Sequence, residues 1–475
     1  MARIVVVGAG MGGLAVAARL AVKRHDVTLC ERSDAAGGML RAVAGTDAAD
    51  GFSFTSGPAV LTLPAVFRDL FLKTGAALED CVDLVGVDPT TRCSFDRGAT
   101  VVDIPNATRA GAAAAFEAAF GAGAGADWNR LMDRGAAMWG VMRTGFFEVP
   151  AEPDKPRSPA GGLKDFRTTM PWRKLRPFVR GTLRDPRQRA HAERFALDAG
   201  LDPRRAPATV AVLPYLEQTF GLWTVRGGLH TMAEALHARC LDLGVKFRMG
   251  TEVAEVSEAG GRVDGVVLAD GGRLDADAVV WERSAADPAA VPGYLELHLA
   301  LRGRTAGQPY RTYLFPDDPA AEAAALFGTD ADGLPADPTL CVLAPPDRAP
   351  EGHEAWTVQV RVPAHGTAGA PGRRLDWTRP DLRESAVQTV LDLMARRGLP
   401  VADRLVRHEL RTPADLEQAV GAPGGAVAAS PVAGGQPNRS PVPGLYAVGA
   451  SAHPGGGLIG VGMGAASVAE LIGKP

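Results

Sequence analysis

Arg3-Ile4-Val5-Val6-Val7-Gly8-Ala9-Gly10-Met11-Gly12-Gly13-Leu14-Ala15-Val16-Ala17-Ala18-Arg19-Leu20 is the stretch that decides the fold. The short β-branched run predicts a buried strand, the glycines a tight turn, and the Ala/Leu-rich remainder a helix. In that context Gly8 permits the turn, Gly10 lets the backbone approach a pyrophosphate, and Gly13 lets helix and strand pack closely. Free amides at the helix N-terminus, among them those of Met11 and Gly12, are placed for phosphate oxygens beside the positive end of the helix dipole. A second predicted strand, residues 26–30, ends at Glu31. That acid lies about twenty residues past the turn, where such folds hold a ribose hydroxyl pair. A carboxylate there repels a 2′-phosphate, so the ligand is an ADP-type dinucleotide, FAD or NAD.

Outward from this unit come Gly37-Gly38-Met39-Leu40-Arg41 and Gly51-Phe52-Ser53-Phe54-Thr55-Ser56-Gly57-Pro58. A plain NAD domain has no need of a second glycine pair behind the acid. At the far end, Gly444-Leu445-Tyr446-Ala447-Val448-Gly449 reads as a buried strand closing on glycine. Residues 450–464 are glycine-rich and run into an apolar helix predicted over 465–472. A second glycine turn at a helix N-terminus is a second place for anionic or electron-rich groups. Mid-chain, residues 221–229 precede a predicted helix over 231–243, with strands at 244–249, 251–256, 262–268 and 275–280.

These pieces resemble the FAD-dependent phytoene desaturase (carotenoid desaturase) family of the flavin amine oxidase superfamily. The resemblance covers nearly the whole chain and is strongest at 3–58, 213–256 and 436–472. It implies FAD as cofactor. It implies that Gly8, Gly10, Met11, Gly12, Gly13, Glu31 and Arg32 hold the ADP half, with Val253 meeting the adenine through its backbone. Gly37, Gly38, Met39, Arg41, Gly57 and Pro58 would contact the rest of the dinucleotide. Gly449, Ala450, Gly457, Leu458, Ile459 and Gly460 would support the isoalloxazine ring, where a positive helix end stabilises an anionic reduced flavin. Two positions depart from the family: Met39-Leu40 separates the glycine pair from Arg41, and Thr55 stands where an acid is usual. Asn438-Arg439 and His453-Pro454-Gly455 also match carotenoid-desaturase relatives. Loop histidines are more often structural than catalytic; His453 marks the flavin pocket and is the candidate for chemistry. The segment 450–464 holds no Tyr or Trp, unlike the aromatic pair of amine oxidases.

The expected fold is α/β: a FAD-binding Rossmann-like domain of the amine oxidase/phytoene desaturase type, an inserted mixed-sheet substrate domain and a helical subdomain. Residues 1–80, 225–290 and 430–475 would form the FAD-binding domain. Residues 81–224 and 291–429 would form the substrate-binding domain, with a helical, membrane-facing segment over 110–191. Residues 59–70 lead out of the FAD-binding domain into a helix, and helices are predicted over 113–119 and 128–143, with a flexible stretch at 121–126. Strands are predicted at 294–302, 310–318, 339–345 and 355–362.

The family implies desaturation of a long apolar isoprenoid or carotenoid-type substrate by hydride transfer to flavin N5, with oxygen or a quinone reclaiming the electrons. Two alternatives stay open. One is the same flavin chemistry, desaturation or oxidative cyclisation, on a polyketide or other secondary metabolite; a cavity too short for a full-length carotenoid favours it. The other is a non-catalytic FAD-binding carrier. No serine-nucleophile motif, metal-ligand cluster or Walker loop competes; spacing names no general base, and of the acids near the substrate segment Glu148 and Asp154 are candidates that most often are merely solvated.

A chain of 475 residues, 46% of them hydrophobic, is long enough for two or three folding units. A net charge of −3 argues against nucleic acid as partner. The five cysteines form no C-x-x-C pair and suit a reducing compartment. The strand beginning at residue 3 leaves no place for a leader, so a cytoplasmic location is expected. Between Lys155 and His191 stand eleven lysines and arginines and two acids, interleaved with Phe166, Met170, Trp172, Leu175, Phe178, Val179 and Leu183. Such a mixture suits peripheral contact with an anionic membrane, here its inner face, or equally a solvated basic face on the protein itself.

Overall fold

Parallel pairing on both sides of the first strand builds the nucleotide sheet in the computed structural model. The structure describes all residues except 42–49, 55, 152, 154–161, 283–290, 329–333, 367–373, 428–431 and 433–434. The sheet order is Leu445–Val448, Ala278–Glu282, Arg3–Val7, Asp26–Cys30, Lys246–Arg248, with every neighbour parallel. Near-continuous apolar runs are what a sheet covered on both faces requires. The two ends of the chain thus meet in one sheet, beside Ala278–Glu282.

Helix Met11–Val22 packs against this sheet and against helices His230–Asp242 and Gly457–Ile472. Its first turn runs so close to the strand that a Cβ on Gly13 would lie 1.9 Å from the Gly8 carbonyl oxygen. Only glycine fits there. The C-terminal helix begins at Gly457, not at residue 465 as its composition predicts. The glycines inside it answer to packing: a Cβ on Gly462 would lie 2.6 Å from Val66, and one on Gly464 2.8 Å from the His453 carbonyl oxygen. Close approach outweighs the helix propensity lost, about 1 kcal/mol per glycine.

A seven-stranded mixed sheet forms the second layer, in the order Leu405–Arg411, Gly293–Arg302, His353–Val362, Leu340–Leu343, Arg311–Leu314, Thr91–Phe95, Thr100–Ile104. Strand Gly293–Arg302, second in that order, alternates strictly. Leu295, Leu297, Leu299 and Leu301 join Val390, Leu393 and Met394 of helix Pro380–Arg396 in one core. Tyr294, Glu296 and His298 therefore occupy the opposite face.

Helices Arg109–Phe120, Ala124–Met142, Leu163–Thr169, Leu175–Arg180, Pro186–Asp198 and Val212–Phe220 surround a third core. The stretch 121–126 is not wholly a loop, because the long helix already starts at Ala124. The Glu117 carboxylate accepts from the amides of Gly123 and Gly125, 2.8 Å each, and fixes that start. The apolar residues of the basic segment divide. Leu175, Phe178, Val179 and Leu183 are buried, whereas Leu163, Phe166 and Trp172 are exposed. Among the described residues no helix is long and apolar enough to cross a membrane.

Candidate cofactor and substrate site

A cavity of about 400 Å³ opens at the carboxyl ends of the parallel strands, where ligands of doubly wound sheets bind. Of the residues expected to hold a dinucleotide, Gly8, Gly10, Met11, Glu31, Arg32, Gly37, Gly38, Met39, Arg41, Pro58, Val253, Ala450, Gly457 and Leu458 line it. Gly57 and Ile459 line a second, adjoining cavity. Gly12, Gly13 and Gly449 lie at the cradle's base, where a Cβ on Gly12 would be 3.1 Å from the Gly449 amide nitrogen. Gly460 lies buried in the C-terminal helix, lining neither cavity. Thr55 and Asp154 fall outside the described residues.

The end of the second strand places Glu31 under the glycine turn. Its carboxylate accepts from the Ala9 amide at 2.8 Å, the Ser33 amide at 2.9 Å and the Ser33 hydroxyl at 2.7 Å. Arg32 and Arg41, which line the cavity, also reach across it. Arg32 donates to the Gln418 carbonyl at 3.3 Å and Arg41 to the Ala419 carbonyl at 3.2 Å. They anchor a strap, residues 419–422, that forms one wall of the cavity. No sequence motif announces this strap.

Glu282 is the residue that sequence reading missed. It ends the strand next to Arg3–Val7, and its two oxygens accept from the amides of Gly12 and Gly13, 3.1 Å each. A carboxylate thus satisfies free amides at the start of Met11–Val22, the position meant for phosphate oxygens. Burial pushes the Glu282 carboxyl up to about 7 against the pull of those amides, and Glu31 adds to the rise.

His453 does not line either cavity. It is buried, and its Nε2 lies 2.7 Å from the Phe146 carbonyl. Asn438 donates to the His453 carbonyl at 2.8 Å and accepts from the Ala151 amide at 3.0 Å. Both residues tie the helical layer to the cofactor layer. Glu148 is exposed, 3.7 Å from Arg143.

The second cavity, about 290 Å³, shares Met39, Pro58, Val427, Gly457 and Leu458 with the first. Phe195, Leu213, Leu216 and Ile459 give it apolar walls, but its floor is the polar face of the mixed sheet. Glu217 holds Arg311 at 2.6 Å and Arg194 at 3.1 Å. Arg194 also meets Asp198 at 2.8 Å, and the Tyr313 hydroxyl donates to the same Asp198 oxygen at 2.8 Å. Burial acts to raise the Glu217 carboxyl, yet Arg311 and Arg194 outweigh it and hold it below the ordinary range. Among the described residues no cluster suited to a metal ion occurs.

The cradle fits an ADP-type dinucleotide: the Glu282 carboxyl oxygens already occupy its amides, and a Cβ at Gly10 would lie 2.6 Å from one of them. A family model described as flavin containing amine oxidoreductase matches residues 11–472. The chain belongs to this family. It is an FAD-dependent oxidoreductase of the carotenoid-desaturase branch. The hydroxyneurosporene desaturase of Cereibacter sphaeroides is 31% identical, covering 99% of this chain and 97% of that protein. The 4,4'-diapolycopene oxygenase of Methylomonas sp. is 30% identical, covering 96% and 95%. An oxidoreductase of Methanosarcina mazei shares the fold with a TM-score of 0.63 at 17% identity, covering 98% of this flavoprotein and 100% of that chain.

Proposed function

We propose that this flavoprotein dehydrogenates a carbon–carbon bond of a lipophilic, allylic substrate of isoprenoid type. The observation that carries this reading is the junction of the two cavities at Met39, Pro58, Gly457 and Leu458. FAD, when bound, supplies a hydride acceptor at N5. The chain's own groups position and insulate. Gly8, Gly10, Met11 and Glu31 would hold the ADP half, and Gly457 would present a helix N-terminus to the ring. Phe195, Leu213, Leu216 and Ile459 would keep water from the reacting carbons. Hydride departure would leave positive charge on carbon, tolerable only where conjugation spreads it, hence an allylic substrate; loss of a proton from the neighbouring carbon would complete the double bond, and the electrons would pass to oxygen or a quinone. The relatives named for hydroxyneurosporene and diapolycopene support this substrate class.

A division into FAD-binding segments 1–80, 225–290 and 430–475 and substrate-binding segments 81–224 and 291–429 belongs to the same reading. The polar floor favours a second reading, in which the same chemistry acts on an oxygenated secondary metabolite such as a polyketide. Anaerobic spectra of the holoprotein with polyenes and polyketides separate them from each other and from a non-catalytic carrier. Bleaching of the oxidised-flavin band by a polyene is expected. Bleaching by a polar amine alone, with no response to any polyene or polyketide, overturns dehydrogenation.

Exposed Leu163, Phe166 and Trp172 alternate with Lys164, Arg167 and Arg173, which supports peripheral contact with an anionic membrane. Co-sedimentation with vesicles containing phosphatidylglycerol should fall several-fold in Phe166→Ser/Trp172→Ser. Equal sedimentation of variant and parent removes this surface from the reading.

A further inference from the structure

The polar floor of the second cavity is unevenly satisfied. Its carboxylates are all met: Glu217 and Asp198 by the arginines Arg194 and Arg311, as above. Glu296 accepts from Ser56 Oγ at 2.5 Å, the Gly57 amide at 2.9 Å and Gln359 Nε2 at 2.9 Å. Glu322 accepts from the Thr339 amide at 2.6 Å and hydroxyl at 2.7 Å. Donors, not acceptors, are left over.

Arg361 is the clearest case. It is 5% exposed and lies 3.5 Å above the Tyr294 ring. It reaches only carbonyls, those of Pro292 at 3.2 Å and Val427 at 3.4 Å through Nη1, and that of Asp198 through Nη2. Its buried Nε has no acceptor, and among the described residues it has no ion pair. Burial accordingly pulls its pKa down. Arg411 lines the same cavity, and its side chain makes no hydrogen bond or ion pair among the described residues. Register relates the two: Arg361 pairs with Tyr294, and Arg411 with Glu296, on opposite sides of strand Gly293–Arg302. Two strand spacings put their backbones roughly 10 Å apart laterally, within joint reach of one small anion.

A buried guanidinium without a carboxylate is costly unless a ligand supplies the missing charge, and Arg is suited to bidentate carboxylate recognition. We propose that the substrate carries a carboxylate end group, held by Arg361 with Arg411, while its carbon chain runs past Leu213 and Leu216 toward Gly457 and Leu458. The cavity volume, near the lower bound of about 300–1,000 Å³ for small-molecule sites, suits such a compact acid better than a full-length carotenoid. This inference rests on the dehydrogenase reading of the same cavity.

Titration calorimetry of the FAD-loaded protein with farnesoic acid, its methyl ester and farnesene tests it. The acid should bind at least tenfold tighter than the ester. Arg361→Gln should erase that preference, and Arg411→Gln should reduce it several-fold. Equal affinity for acid and ester in the parent protein, or no binding of the acid, overturns the proposal whether or not a variant folds. Retention of the preference in a folded Arg361→Gln also overturns it. Parallel anaerobic spectra keep the two readings apart. An acid that binds through Arg361 without bleaching the flavin counts against dehydrogenation, not against the carboxylate site. Bleaching by farnesene with no acid preference does the reverse.

Discussion

The two cavities that meet at Met39 and Gly457 are built from opposite materials. The cofactor cradle is backbone: amides of Gly12 and Gly13, space at Gly10, and one carboxylate, Glu31, tied to a neighbouring turn. The substrate floor is side chain: arginines, tyrosines and carboxylates converging from strands and helices far apart in sequence. A backbone site tolerates almost no change at its glycines, because the missing Cβ is the function. A side-chain site tolerates substitution of individual groups and sets which molecule is accepted. One cofactor cradle is thereby compatible with many substrate floors in a single family.

The comparison breaks most sharply at Gly10. Its φ of −72° is ordinary, so the need for glycine is space and not backbone strain. Gly10→Val should abolish FAD binding while the apoprotein still folds. A purified variant with the parent's flavin content and normal yellow absorbance contradicts the cradle assignment. The floor's counterpart is Glu217→Gln, which leaves Arg311 buried without its counter-charge. Breaking such a pair costs about 3–5 kcal/mol, measurable as lost stability in urea, with FAD affinity unchanged. A stability loss below about 1 kcal/mol would mean that the cluster is well solvated. Glu31→Ala is smaller again. It removes a ligand contact and leaves the Ala9 and Ser33 amides unmet, weakening FAD by about 1–3 kcal/mol. An unchanged dissociation constant takes Glu31 out of the site.

The same contrast explains what the sequence makes legible. The cradle is local, so Gly8, Gly10, Gly13 and Glu31 announce it within one strand–turn–helix unit. The helix start at Gly457 is not legible, because glycine argues against helix, and only the approach of Val66 to Gly462 and of the His453 carbonyl to Gly464 shows why glycine is tolerated. The floor's polarity was half visible. Tyr294, Glu296 and His298 alternate with leucines, a period-two signal for one apolar and one polar face. Which residues join them depends on the register that sets Arg361 against Tyr294 and Arg411 against Glu296, and long-range pairing leaves no local mark. The strap at 419–422 had no signal at all. Glu282 did have one: it ends a parallel strand, at the edge where ligands of such sheets bind.

Glu282 supplies the finest test of the difference, because it is a side chain lodged in the backbone site. A dinucleotide phosphate seated on the Gly12 and Gly13 amides would have to displace the carboxyl of Glu282. Its carboxyl is raised from an ordinary 4.5 to about 7, so the folded apoprotein holds a proton that the unfolded chain has already lost. The stabilisation is complete below pH 4.5 and is lost as pH climbs through 7. Glu322, likewise raised to about 7, carries the same sign, so Glu282→Gln should reduce the downward slope of apoprotein stability without erasing it. FAD affinity should follow the charge. In the parent it weakens as pH rises through 7, while in Glu282→Gln it stays flat and is about tenfold tighter at pH 8, or ~1.4 kcal/mol. Fluorescence titration of FAD at pH 6 and pH 8 measures both quantities. A glutamine variant that binds no tighter at pH 8 and keeps the parent's pH slope would show that the carboxylate leaves the cradle without cost, and that the amides alone govern loading.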